Sequence, residues 1–78
     1  MWIFERNAVN QLINGLIKPT DKVSVNCYNR MRILLTKNLK RIDLRFIKDK
    51  VEKLVTHDKF DQKDLAELNI MYVKYKNK

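Results

Sequence analysis

Glycine and proline occur once each, at Gly15 and Pro19, and neither returns in the rest of the 78-residue chain. Tight turns in β-rich folds draw on residues that adopt positive φ or preset a bend. A meander or barrel is therefore excluded over most of the sequence, and helices joined by short non-glycine connections remain. Leu, Ile, Val and Phe recur throughout, with 45% hydrophobic and 33% charged residues, so a disordered chain is excluded as well. The length suits one small domain, residues 1–78, close to the size at which a single core only just offsets chain entropy. The expected class is all-α, a compact four-helix bundle.

The apolar spacing places the helices. Trp2, Val9, Leu12, Ile13, Leu16 and Ile17 recur at helical intervals, with Asn7, Asn10, Gln11 and Asn14 between them. Gly15 weakens the last turn by about 1 kcal/mol relative to alanine, and Pro19 ends the segment at Lys18. Trp2 and Phe4 are expected to seal one end of the core. Residues 22–25 alternate like a strand but have nothing to pair with, so a second helix is preferred, capped by Thr20 or Ser24 and running to about Asn38. Cys27, Met31, Leu34 and Leu35 form its buried stripe, joined by Val23 if it starts early.

Residues 38–41 read as a basic joint, after which Asp43 caps a third helix and Ile42 and Ile47 form a hydrophobic staple. Its stripe is Leu44, Ile47, Val51, Leu54 and Val55. Asp61 caps a fourth helix, with Asp64 at the capping-box position and Phe60 and Leu65 as a second staple. Leu65, Leu68, Tyr72 and Tyr75 make one stripe there, and Ala66, Ile70 and Val73 a neighbouring one. An arc that broad is expected of the most central helix. Lys74, Lys76 and Lys78 sit well at the negative end of its dipole, and the last three residues are expected to fray.

Charge is distributed unevenly. Residues 30–48 carry seven cations and one acid, Asp43, so six of the eight net positive charges fall in a quarter of the chain. Residues 49–73 hold four lysines against six acids and are net negative. Four of the seven central cations are arginines, whose planar fork suits phosphate better than a lysine point charge. Thr36 and Asn38 add neutral groups able to contact phosphate or sugar. Arg30, Arg32, Lys37, Lys40, Arg41, Arg45 and Lys48 are accordingly the expected nucleic-acid-binding residues. No helix-turn-helix signature or paired aromatics accompany them. The expectation is recognition of backbone or structure with little sequence preference, and DNA ahead of RNA.

Other chemistries lack their parts. His57 is the one histidine, in an expected loop beside Asp58 and Lys59, so no HExxH or histidine-rich metal site can form. Asp58, Asp61 and Asp64 lack the central glycine and terminal glutamate of an EF-hand. One glycine cannot build a phosphate-cradling loop. Cys27, without a histidine at hand, reads as core filler, and as the one cysteine it fits a reducing compartment. No enzyme activity, cofactor, metal or small-molecule substrate is expected. MWIF lacks a preceding basic region and is not read as a signal peptide, and no apolar run approaches the roughly 18 residues of a membrane span. The chain is expected to be cytoplasmic, without a membrane partner. The alternative function is a small adaptor, since a bipolar charge distribution also suits heterotypic docking or self-association; a helicase or recombinase is the kind of protein partner expected.

The size, the four expected helices, the basic centre and the Lys/Asn/Ile-rich composition resemble a family of small proteins of T4-type phages, encoded after the recombination helicase UvsW. That resemblance implies a four-helix bundle similar to the HRDC modules of RecQ-type helicases, which bind DNA by structure, and a role accessory to recombination or repair in the host cytoplasm. The chain lacks the glycine-rich hairpin turn of HRDC sequences, so no family binding residue is carried onto it. Residues 51–72, VEKLVTHDKFDQKDLAELNIMY, also resemble the nucleoid-modulating Hha proteins in their acidic cap, Leu-Ala and aromatic, while departing in charge. The Hha resemblance implies the adaptor role.

Overall fold

The computed structural model describes residues 2–16, 21–58 and 60–77, with only the backbone of Trp2 and Ile3. Four helices follow in order: α1 (Trp2–Asn14), α2 (Lys22–Leu35), α3 (Arg41–His57) and α4 (Gln62–Lys76). The Trp2 side chain, Ile17, the Pro19 stop, the Thr20 cap, Lys59 and Lys78 lie outside the described residues. The α1 helix packs chiefly on α3, and α2 chiefly on α4. Among the described residues α1 and α4 do not pack on each other, so α2 and α3 form the central pair. The bundle expected from the spacing is the one observed.

The core is drawn from the expected stripes. Val9 and Ile13, then Cys27, Met31 and Leu34, then Leu44, Ile47, Val51 and Leu54, then Leu68 and Tyr75 are all buried. Leu39 joins them from the α2–α3 connection, pinning a segment that reads as merely basic in the sequence. Burial pushes the Cys27 thiol up to about 11, against the opposing charge of Arg30, as suits an inert core residue. Among the described residues no helix is long and apolar enough to cross a membrane.

Several local expectations are corrected. The cap of α2 is Asp21, which accepts from the Val23 amide (3.4 Å), while the Ser24 hydroxyl donates to its other oxygen (3.3 Å). That helix ends at Leu35, three residues short of Asn38, because the connection must turn to bury Leu39. The α3 helix begins at Arg41 with Lys40 at the cap position, so Asp43 is a first-turn residue. Its carboxylate is used across the bundle, where it accepts the Tyr75 hydroxyl. Ile42 is 78% exposed and staples nothing. His57 closes α3 and does not lie in a loop, and Asp58 follows in the left-handed region at φ 58°, which aspartate tolerates better than most residues. Phe4 is exposed and seals no core, and Val55 faces solvent. Asp61 does cap α4, accepting from the Asp64 amide at 2.8 Å. The α4 helix is not central, for Ile70 and Val73 lie on its outer side.

Candidate nucleic-acid interface

Arg30 and Arg32 are two residues apart on a helix, which turns them by about 200° from each other. Arg30 points to α4: its guanidinium lies 5.6 Å from the Tyr72 ring centroid, beside a cleft shared with Gln62, Leu65 and Asn69. Arg32 points to α1. It donates to the Tyr28 hydroxyl from Nε (3.2 Å) and Nη2 (2.7 Å) and borders an open cleft of about 470 Å³ with Arg6, Asn7, Asn10 and Thr36. Since α1 and α4 occupy opposite sides of the central pair, Arg30 is separated from the other expected residues.

Arg41 and Arg45 stand one turn apart on the α1 side of α3. Both donate through Nε to Glu5 Oε1, at 3.2 and 2.8 Å, and their side chains stay 54% and 63% exposed. The bond from Arg45, with that from Arg41, holds the Glu5 carboxyl below its ordinary value, against the opposing effect of burial. Each guanidinium has five donors, so one Nε–H given to Glu5 leaves most of the fork for another anion. Lys48, three residues beyond Arg45, continues the same helical face and is half-buried. Lys37 and the exposed Lys40 lie on the connection between α2 and α3.

Three residues important to this face are not among those read from the sequence. Arg6 donates to the carbonyls of Leu35 (2.5 Å) and Lys37 (2.9 Å), satisfying groups left open at the end of α2 and placing a cation at its negative pole. Arg6 thereby fixes α1 to the basic connection while its neighbour Glu5 fixes α1 to α3. Asn7 and Asn10 are exposed and line the Arg32 cleft. Their recurrence with Gln11 and Asn14 on the polar side of α1 is the one signal in the sequence, and it reads equally well as solvation. Thr36 spends its hydroxyl proton on the Ile33 carbonyl at 2.6 Å, and Asn38 is exposed.

The resulting surface has at its centre α1, whose Asn7, Asn10, Gln11 and Asn14 are exposed amides. Arg32 and Lys37 flank it on one side, and Arg41, Arg45 and Lys48 on the other. Among the described residues, the one carboxylate paired with any of the seven central cations is Glu5. Asp43, the sole acid of the basic segment, is engaged with Tyr75 instead. The same residues include no group of three or more His, Cys, Asp or Glu able to hold a metal ion. No protein-family model, curated protein or solved structure matches the chain.

Proposed function

We propose that the protein is a non-enzymatic nucleic-acid-binding module that grips the sugar-phosphate backbone, DNA ahead of RNA, over the face built on α1, the end of α2 and the start of α3. The observation that carries this reading is the lack of neutralisation there: among the described residues, a segment with seven cations and one acid is paired with a single carboxylate, Glu5. Arg32, Lys37, Lys40, Arg41, Arg45 and Lys48 supply the phosphate contacts. Asn7 and Asn10 add hydrogen bonds to phosphate or sugar. Arg30 is left out, because it faces α4. An accessory role in recombination or repair rests on the resemblance to the phage family alone.

Titration of fluorescent single-stranded, duplex and branched DNA across a salt series tests the proposal. Five or six phosphate contacts give a slope of about −4 to −5 in log affinity against log salt on duplex. Affinity indifferent to salt, or no binding at low salt, rejects it. The adaptor reading draws on the net negative stretch at residues 49–73. A protein partner retained in a pull-down after nuclease treatment favours that reading, and one lost with the nucleic acid favours backbone binding.

A further inference from the structure

The α4 face turned away from α1 carries apolar surface that the bundle does not use. Ile42, Ile70 and Val73 are 78%, 70% and 56% exposed, three of the four most exposed large apolar side chains among the described residues. Ile70 and Val73 lie three residues apart on the outer side of α4. Ile70 lines a cleft of about 280 Å³ between α3 and α4, with Asp43, Phe46, Glu67, Met71 and Lys74. Ile42 adjoins Asp43, whose bond to Tyr75 sets the start of α3 beside the end of α4. Scattered exposed apolar residues need no explanation, but a contiguous set rimmed by charge marks a contact surface.

We propose that this face binds a second copy of the same chain, with the two α4 helices antiparallel and crossing near Ile70. The charges select that occupant. Glu67, Ile70 and Lys74 share one helical face, with the acid one turn before Ile70 and the base one turn after it. A two-fold axis at Ile70 sets Glu67 of each copy beside Lys74 of the other, giving two identical opposite-charge pairs around an Ile70–Ile70 contact. The same operation brings Val73 near Ala66 and Lys63 near Asn77. Glu67 is 41% exposed and holds Lys50 only through a long contact of 3.5 Å, which leaves its other carboxylate oxygen for a second cation.

A stable interface covers about 800 Å² per partner, a large share of the 5449 Å² surface of this chain. One helical stripe falls short of that, so Phe46 and Ile42 at the edge of α3 must also be covered. The net charge of +8 opposes association, and added salt screens that repulsion. A weak dimer, favoured by protein concentration and moderate salt, is the expected result. It leaves the α1 face of both copies open, and it stands whether or not that face binds nucleic acid.

Sedimentation equilibrium of the full chain at about 20–500 µM in moderate salt tests the proposal. The mass should rise from 9.4 kDa towards twice that value, and Ile70→Asp/Val73→Asp, both surface changes, should abolish the rise. Glu67→Lys and Lys74→Glu should each associate at least several-fold more weakly than wild type. Mixing these two variants should restore association. One copy then presents two bases and the other two acids, so both pairs across the axis again have opposite sign, and a folding defect in either variant would not be rescued this way. A wild-type monomer at the highest of these concentrations, an Ile70→Asp/Val73→Asp variant that still associates, or a mixture no stronger than its components overturns the proposal.

Discussion

Glu5 and Asp64 each sit between two cations, and the two sites differ in how far those cations are buried. Asp64 is 4% exposed and receives Lys50 (2.5 Å), itself 6% exposed, and Lys53 (2.8 Å), so that α4 is tied to α3 from within the bundle. Burial pushes the Asp64 carboxyl up, but the bonds from Lys50 and Lys53 outweigh it and hold the group well below its ordinary value. The same bond holds the Lys53 ammonium above its ordinary value. Glu5 receives two arginines that remain more than half in water. Identical stoichiometry thus serves structure at one site and leaves charge on offer at the other. Burial decides which: a desolvated cation must keep its carboxylate, whereas an exposed guanidinium can exchange or share it.

The largest effect expected is at the buried cluster. Asp64→Asn leaves the buried Lys50 charged with only its longer contact to Glu67 (3.5 Å), which should cost roughly 3 kcal/mol in denaturant unfolding, much of the stability of so small a domain. The pH dependence has a definite sign. A carboxyl lowered on folding contributes above its unfolded value of about 3.9 and loses that contribution as pH falls through its folded value. Wild-type stability should therefore fall below about pH 4, and the fall should be shallower in Asp64→Asn.

At the exposed site the readout is binding. Arg41→Gln/Arg45→Gln should weaken duplex DNA binding about tenfold or more and reduce the salt slope by about 2, with helical circular dichroism retained. A proportionate loss of helix would assign these arginines to structure. Glu5→Gln removes the competing carboxylate and should tighten binding a few-fold at low salt. The smallest effect belongs to Arg30→Gln, which should change affinity less than twofold despite being two residues from Arg32. Equal losses from Arg30→Gln and Arg32→Gln would erase the distinction between the two sides of α2.

Helical class, helix number and most of the core were legible in the sequence, because apolar spacing at 3.6 residues reports burial along a single helix. What lay between helices was not. Asp43 has the chemistry of a cap, and only the arrival of Tyr75 from 32 residues away reveals its use. Glu5 meets Arg41 and Arg45 across 36 and 40 residues, so the bridge has no local signature. Asp64 caused the same difficulty: its position fits a capping box, while its carboxylate faces two lysines of α3. The basic segment was visible as a run of charge, but a run on a helix divides among faces, and Arg30 lies on the one turned to α4. The outward position of Ile70 and Val73 was missed because a broad apolar arc reads as centrality when the packing partners are unknown.

Amide chemical-shift mapping of the labelled protein during titration with a short DNA duplex examines the proposed face most directly. Perturbations concentrated on Asn7, Asn10, Arg32, the 36–41 connection and Arg45, with Arg30, Ile70 and Val73 unmoved, are the predicted result. Perturbations centred on Arg30 and α4, or spread evenly over the molecule, would contradict it.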